Sequence, residues 1–256
     1  MADLLAFLIG LALGSFLNVV ATRLPVKERF WAGRSRCPHC RTTLAWHDNL
    51  PVLSFLYLRG RCRFCGAVIS WRYPLLELAG GLLFLVLWHQ YPWSPRLIAY
   101  GPFGAALLVL TTIDLEHLLL PDVITYPGIV AGLGLSLLLP SPGFWEALLG
   151  ALLGGGFFLV VGWVYEKFSG KTGLGGGDVK LLAMIGAFLG VGSLPFIIFI
   201  SATLGTVVGL GLTLVGGAWR NGQWRTTRIP YGPFLAAAAL LYLFAGQQLV
   251  RCFAWL

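Results

Sequence analysis

Long apolar stretches recur along almost the whole chain and constrain its fold more than any other feature. A helix needs roughly 20 mostly apolar residues to cross a hydrocarbon core about 30 Å thick. We expect eight spans, the sixth of them short, approximately over residues 4–21, 75–91, 97–113, 123–139, 147–165, 179–191, 194–215 and 231–250. Apolar residues make up 57% of the chain and charged residues 11%, against roughly 25% charged in an average soluble domain. The sequence therefore predicts an all-α polytopic membrane protein.

The positive charges predict how the chain lies in the membrane. Ten of its 18 Lys and Arg residues lie between Arg23 and Arg72, in the polar segment between the first two spans. By the positive-inside rule this segment is cytoplasmic, so the N-terminus lies outside. Because Asp3 precedes the first stretch and no basic residue does, we expect a retained span and not a cleaved signal. The net charge of +8 reflects this topology, and no interleaving of basic and aromatic residues supports nucleic-acid binding.

Two CxxC pairs, Cys37 with Cys40 and Cys62 with Cys65, lie in this segment with 21 residues between them. This spacing predicts a zinc-ribbon-like module in which four thiolates close a tetrahedral Zn²⁺ shell, as in structural sites. A segment of about 50 residues with little apolar content would draw folding energy from the metal. Disulfides are the first alternative, opposed by a reducing cytosol. A redox-active CxxC is the second, opposed by the presence of two matched pairs.

Two of the ten acidic residues are the candidates for catalytic chemistry. Asp114 closes the third span and Asp178 opens the sixth. Two whole spans separate them, so both are expected at the cytoplasmic face, where an ionisable group is a functional hypothesis by default. Two carboxyl groups within a few ångströms cannot both ionise easily, so one keeps a proton while the other acts as a base on water. This predicts the arrangement of an aspartic protease, with the proton shared by the pair.

Further residues near the pair are candidates for substrate or loop support. Gly175 and Gly177 remove bulk beside Asp178 and permit positive φ, which would let an extended backbone approach; a flexible loop would show the same glycines. Asp122 is expected to be the N-cap of the fourth span, with catalysis as the alternative. Glu116 faces an aqueous edge, where it either binds a basic substrate segment or is simply solvated.

Other groups offer weaker chemistry. Glu77, a few residues inside the second span, either pairs with an arginine such as Arg72 or serves the acidic site. A phosphate-binding loop is excluded because no GKS or GKT follows the glycine run. Serine and cysteine nucleophiles are excluded because His89 and His117 have no matching serine motif.

Four motifs in order resemble the bacterial type IV prepilin peptidases: GSFLNVVATRLP from Gly14 to Pro25, the paired CxxC knuckles, IDLEHLLLPDVITYP from Ile113, and GxGD from Gly175 to Asp178. The resemblance spans nearly the whole chain. It implies a GxGD-type membrane aspartyl protease with Asp114 and Asp178 as the catalytic pair. It also implies cleavage of the short basic leader of prepilins or pseudopilins, at the cytoplasmic face of the bacterial inner membrane, in type IV pilus assembly, type II secretion or competence.

The resemblance further implies a second activity. Many family members methylate the new N-terminus with S-adenosylmethionine, and because the opening signature and the cysteine module are both present, we expect the bifunctional form. The methyl-donor residues are open, with Asn18, Arg23 and the polar parts of 23–73 as candidates. The chain is accordingly divided into a first transmembrane helix (1–22), a cytoplasmic zinc-binding module (23–73) and a membrane peptidase domain (74–256).

Three rival functions are weighed against this interpretation. A proton or cation transporter would place ionisable groups at several depths, whereas the two aspartates are expected at one face. A presenilin-like protease also uses GxGD, but the cysteine module and the opening signature oppose it. A zinc-stapled scaffold without catalysis is opposed by the paired carboxylates.

Overall fold

The computed structural model describes residues 1–29, 31, 33–170, 175–215 and 229–253, with side chains described for all of these except 213–215 and 247–253. Over these residues the chain is helical, with two isolated β-bridges and no strand. The helices are α1 (Ala2–Arg23), α2 (Leu53–Tyr57), α3 (Arg72–Gln90), α4 (Pro95–His117), α5 (Asp122–Ser136), α6 (Phe144–Ser169), α7 (Gly176–Leu189), α8 (Leu194–Val215) and α9 (Gly232–Phe253).

Every predicted span coincides with a helix. Of the described residues of the polar segment, Leu53–Tyr57 form the short helix α2 and Trp46–Asn49 form a 3-10 turn. Within the described residues, four helical stretches are long and apolar enough to cross a membrane: α1, α4, α6 and the stretch Val191–Leu212. The stretch Gly232–Gly246 of α9 is a shorter apolar helix. At 14 residues, α7 is about 21 Å long, short of a core about 30 Å thick. The all-helical membrane class is confirmed, and the number of eight crossings stays a prediction.

The chain divides into two compact units, Met1–Ile113 and Asp114–Leu256. The division falls inside α4, immediately before Asp114. The three-part division drawn from the sequence stays a prediction.

Glycines bring α1 and α3 together in the N-terminal unit. A Cβ on Gly80 would lie 2.7 Å from the carbonyl oxygen of Gly10, and a Cβ on Gly14 would lie 2.7 Å from the Cα of Glu77. Lipid tails are as apolar as leucine, so helices in a bilayer gain little from hydrophobic burial and associate through such close backbone contact. The glycine-rich stripe therefore sets where α1 and α3 cross.

In the C-terminal unit α7 is the most enclosed helix, and its residues from Leu181 to Leu189 are buried with one exception, Ala183. It contacts α5, α6 and α9. A Cβ on Gly150 of α6 or on Gly186 of α7 would collide with the backbone of the opposite helix. Asp178 lies at the N-terminus of this short, enclosed helix, where Gly176 is exposed and Asp178 is partly exposed.

Candidate active site and metal centre

Asp114 lies in the last turn of α4 and is only 5% exposed. Its carboxylate Oδ2 accepts a hydrogen bond of 2.9 Å from the backbone N–H of Gly232, the first residue of α9. A Cβ on Gly232 would lie 2.7 Å from the same oxygen. The approach of α9 to this carboxylate therefore requires glycine.

Asp178 is the third residue of α7 and is partly exposed. Its carboxyl group reaches back to the backbone of Gly175, the residue that caps the helix. This is the backward contact of a capping box, in which an acidic residue in the first turn satisfies a free N–H at the helix start. This contact holds the side chain at the N-terminus of α7 and leaves part of it accessible.

The two aspartates come together in the C-terminal unit. The carboxyl groups are close enough for Asp178 to experience the charge of Asp114. Leu120 lies against the neighbours of both aspartates: a Cβ on Gly177, which precedes Asp178, would be 2.9 Å from the Cβ of Leu120, and one on Gly232, which binds Asp114, would be 3.2 Å from its Cδ2. The sequence-predicted pair thus shares one region of the fold, and its catalytic role stays a prediction.

The glycines before Asp178 act differently from the expectation. Gly175 has φ of −71°, and α7 begins at Gly176, so Gly175 and Gly177 do not use the positive φ that glycine permits. Gly177 instead leaves room for Leu120, as the short distance above shows. These glycines therefore supply space beside the carboxyl group and not an unusual backbone conformation.

The prediction that Asp122 is a helix N-cap is wrong. Pro121 occupies the N-cap position of α5, and Asp122 is the first helical residue without a capping hydrogen bond from its side chain. Its carboxylate instead accepts a 2.6 Å hydrogen bond from Lys180, whose ammonium group also lies 5.0 Å from the ring centroid of Tyr126. Because Lys180 follows Asp178 by two residues, this ion pair ties the start of α7 to the start of α5.

Glu116 is the penultimate residue of α4 and is exposed. Its carboxylate is 3.9 Å from Nε2 of His117. An exposed pair of this kind fits the aqueous edge that was expected, and a role in binding substrate stays a prediction.

Several residues around the pair escaped the sequence analysis. Tyr231 is close enough to Asp178 to interact with it electrostatically, and its hydroxyl forms a 2.9 Å hydrogen bond with Ser201 of α8. Gly232 holds Asp114. Neither Tyr231 nor Gly232 is an acid or a metal ligand, so no motif pointed to them. The available signal was an aromatic–glycine–proline sequence at the start of an apolar span.

The four cysteines of the CxxC pairs form one cluster in the N-terminal unit. Their sulfur atoms all lie within 4.8 Å of one another, and Cys37 Sγ is 3.9 Å from Cys65 Sγ. Cys37 and Cys62, the first cysteine of each pair, are buried. A tetrahedral shell with zinc–sulfur distances of about 2.3 Å requires sulfurs at this kind of mutual separation, so the cluster fits a single metal ion.

The two knuckles repeat the same backbone turn. Cys37 N–H donates to the Thr42 carbonyl at 3.0 Å, and Cys62 N–H donates to the Ala67 carbonyl at 2.8 Å. The residue after the second cysteine has positive φ in both turns, 56° at Arg41 and 71° at Gly66. The repeated geometry turns both sulfurs of each pair toward the same centre.

The thiols show why a cation suits this centre. Hydrogen bonds from Thr42 lower the pKa of the Cys40 thiol to about 6, and backbone hydrogen bonds from Cys65 and Phe64 lower the pKa of Cys62. For Cys65, a backbone hydrogen bond from Ala67 is outweighed by burial and the neighbouring cysteines, which raise its pKa to about 11. These hydrogen bonds favour the thiolate form, while neighbouring thiolates disfavour a further negative charge in the cluster. A divalent cation between the four sulfurs would stabilise all the thiolates together.

The candidate methyl-donor residues have structural contacts. Arg23 donates to the carbonyl oxygens of Arg29 and Arg34 at 3.3 and 3.1 Å. Asn18 donates to the Tyr73 carbonyl at 3.0 Å, while its buried Oδ1 has no hydrogen-bond partner. The Arg23 contacts tie the end of α1 to the polar segment, and the Asn18 contact ties α1 to the start of α3. A role for either residue with S-adenosylmethionine stays a prediction.

Fold and site together define a helical membrane protein with a convergent aspartate pair and a separate four-cysteine centre. Residues 8–91 match the family model described as bacterial peptidase A24 N-terminal domain. Residues 101–210 match the model of the type IV leader peptidase family. No solved structure matches the chain significantly.

Several relatives carry the name prepilin leader peptidase/N-methyltransferase. The protein from Aeromonas hydrophila is 38% identical, and the alignment covers 96% of this chain and 92% of the relative. The protein from Burkholderia pseudomallei (strain 1026b) is 39% identical, with 94% and 84% covered. The protein from Myxococcus xanthus (strain DK1622) is 42% identical over 82% of this chain, and the chain spans only 63% of that relative's length.

The chain therefore belongs to the type IV leader peptidase family. The predicted resemblance is confirmed, and the chain is an enzyme of the peptidase class. Membership also opposes the transporter and scaffold alternatives, since neither accounts for both family domains in their order.

Replacing Cys37 by serine should remove the metal and destabilise the N-terminal unit, because three thiolates leave the shell open. We expect metal analysis of the purified protein to show one Zn²⁺ per chain in the native sequence and none in Cys37→Ser, with a lower unfolding temperature. Cys252→Ser is the matched control, since Cys252 lies far from both CxxC pairs in the sequence. Full metal occupancy in Cys37→Ser would rule out the four-thiolate centre.

Proposed function

We propose that the chain removes the basic leader of type IV prepilins or pseudopilins by a two-aspartate mechanism and then methylates the new N-terminus with S-adenosylmethionine. The observation that carries the proteolytic part is the convergence of Asp114 and Asp178, close enough for Asp178 to experience the charge of Asp114. Both residues lie within the stretch 101–210 that matches the leader peptidase model. The methyl transfer is supported by the names of the relatives and by the N-terminal domain match.

The chemistry follows from two carboxyl groups that hold one proton between them. The ionised carboxylate takes a proton from a water molecule, and the resulting hydroxide attacks the carbonyl carbon of the scissile peptide. The protonated carboxyl group donates its proton to the carbonyl oxygen. When the tetrahedral gem-diol collapses, the C–N bond breaks and the leaving amine takes a proton from the carboxyl group that acted as base. One diol hydroxyl returns its proton to the other carboxylate as the new carboxylic acid forms, so the pair regains its original state.

The surroundings prepare the pair for this task. The Gly232 N–H holds Asp114 in one orientation, and the Gly175 backbone does the same for Asp178. The Lys180–Asp122 ion pair joins the helices that begin on either side of the site. Fixed carboxyl groups lower the entropy cost of bringing water and peptide together. The partial exposure of Asp178 leaves a route for an extended peptide.

We place the reaction at the cytoplasmic face of the bacterial inner membrane. The positive-inside distribution puts the polar segment with the cysteine centre on that side and the N-terminus outside. Asp114 lies in the last turn of α4 and Asp178 in the first turn of α7, and eight crossings would put both at the same face. The bilayer, the prepilin substrate and the zinc ion, which is structural, are the partners of this proposal. When bound, S-adenosylmethionine would supply the methyl group.

Asp114→Asn and Asp178→Asn should each abolish detectable leader removal, since losing a general acid or base costs about 10²–10⁴-fold in rate. The measurement is the mobility shift of a prepilin incubated with membranes that contain each variant in equal amounts. Glu166→Gln, an exposed carboxylate at the end of α6, is the control and should retain full activity. Cleavage at the native rate by either aspartate variant would reject the pair as catalytic.

Gly232→Ala should slow cleavage strongly while leaving the fold intact. The added methyl group would displace the Asp114 carboxylate, and a misplacement of about 1 Å can cost about 10²-fold. Gly156→Ala is the matched control, because a Cβ there meets nothing within 4 Å. The comparison is kcat for prepilin cleavage at equal unfolding temperature. Equal rates for the two alanine variants would show that α9 does not position Asp114.

Methyl transfer should occur only on a free N-terminus. Incubating the enzyme with labelled S-adenosylmethionine and precleaved pilin should label the pilin, and Asp178→Asn should still label it. If no label reaches precleaved pilin, the methyltransferase part of the proposal is wrong and the proteolytic part is unaffected.

A further inference from the structure

A short apolar segment in the N-terminal unit has no role in the chemistry above. It comprises residues 50–57 and contains α2, and it is named the interfacial segment here. Its apolar side chains point outward: the exposed fractions are 65% at Leu53, 60% at Leu56 and 79% at Tyr57. Phe55 alone turns inward, where its ring packs on Trp71 at 4.8 Å between centroids. A helix that buries one residue in this way presents its apolar surface to something outside the unit.

A hydrogen bond to α3 indicates how deep this segment lies. The N–H of Val52 donates to the carboxylate of Glu77 at 2.8 Å. Glu77 follows Arg72, the first residue of α3, by five residues, which is about 8 Å along the helix axis. It also faces Gly14, which lies well inside α1, a helix long and apolar enough to cross the membrane. The interfacial segment therefore lies level with the apolar part of two helices and not above their ends.

The backbone of the segment is suited to an apolar environment. In lipid every N–H and C=O must find an internal partner. The described hydrogen bonds supply acceptors for the N–H groups of Val52, Leu53, Ser54, Leu56 and Leu58. The hydroxyl of Ser54 donates to the Leu50 carbonyl at 2.8 Å. The buried Glu77 carboxylate thus serves a backbone donor that the short helix cannot satisfy by itself.

Charged side chains flank the segment on its polar side. Arg59, Arg61 and Arg63 follow it within six residues and are exposed. A groove of about 380 Å³ lies against it, lined by Leu50, Leu53 and Tyr57 on the apolar side and by Arg63 and His47 on the polar side. Apolar residues beside basic ones are complementary to acyl chains beside anionic headgroups.

We infer that the interfacial segment is a membrane anchor that inserts into the boundary between headgroups and acyl chains, beside α1 and α3, with bilayer lipid as its partner. Glu77 is the positioning residue, because its carboxylate holds Val52 at that depth. Val52 has φ of 61°, a conformation that a β-branched residue rarely adopts and that needs such a restraint. The anchor would hold the cysteine module against the membrane surface.

Depth-dependent quenching tests this inference on the full chain in nanodiscs of phosphatidylethanolamine and phosphatidylglycerol. A fluorescent amino acid replaces Leu56, Leu8 of α1 or Thr43 of the first knuckle, and lipids carry a nitroxide near the headgroup or deep in the acyl chain. Leu8 is the lipid-facing control and Thr43 the aqueous control. We expect the probe at 56 to be quenched several-fold more than the probe at 43, and most strongly by the shallow nitroxide. Quenching at 56 no greater than at 43 would overturn the anchor.

Two further arms separate the alternatives. Glu77→Gln, whose amide oxygen still accepts a hydrogen bond, should keep the quenching at 56, whereas Glu77→Ala should reduce it at unchanged zinc content. Equal quenching in both variants would contradict the positioning role of Glu77. A probe at 56 that lipid does not quench, but whose emission shifts when a prepilin is added, would assign the surface to a protein partner and reject lipid.

Discussion

The hydrogen bond from the Gly232 N–H to the Asp114 carboxylate is the interaction on which the acidic site depends. A carboxyl group that is 5% exposed at the end of an apolar helix has lost most of its hydration, and a buried polar group without a partner is costly. Here the start of α9 provides the partner, and it can do so only because residue 232 has no side chain. Gly232 of α9 thus contacts both Asp114 and Leu120. Leu120 in turn packs against Gly177, the residue before Asp178 in α7.

Glycine has a related task elsewhere in both units. Gly14 and Gly80 let α1 and α3 touch through their backbones, and Gly150 and Gly186 do the same for α6 and α7. In a bilayer this contact replaces the hydrophobic burial that drives helix association in water. It brings polar groups to defined positions between helices: Glu77 opposite Gly14 in one unit, and Asp178 at the start of the enclosed α7 in the other. The glycine content of the chain is thus part of how its acids are placed.

Much of this architecture could be predicted from the sequence, because apolar length and motif spacing are local properties. The apolar runs marked each long helix to within a few residues, and the two CxxC pairs marked a cluster whose sulfurs do lie together. The rarity of charge in the spans isolated Asp114 and Asp178. Counting spans predicted only that the two aspartates lie at the same membrane face. The contacts around them, made by Leu120 and Gly232, do not follow from that count.

The remainder depends on contacts between distant residues, which no local pattern encodes. Asp122 looked like a helix cap because acids favour that position, but the Lys180 ammonium group, 58 residues away in the sequence, gives it a stronger partner. Gly232 binds Asp114 because the two residues, on different helices, lie next to each other in the fold. The proposed depth of the interfacial segment depends on Glu77, which belongs to no recognisable motif. In each case a tertiary contact decided what a residue does.

The central claim is that Asp114 and Asp178 hold one proton between them in the resting enzyme. Infrared spectroscopy of the chain with ¹³C-labelled aspartate carboxyl groups measures this directly, because protonated and ionised carboxyl groups absorb at separate frequencies. The account predicts a signal from one protonated aspartate near neutral pH that disappears in both Asp114→Asn and Asp178→Asn. A native protein without that signal, or a signal that survives in both variants, would contradict it.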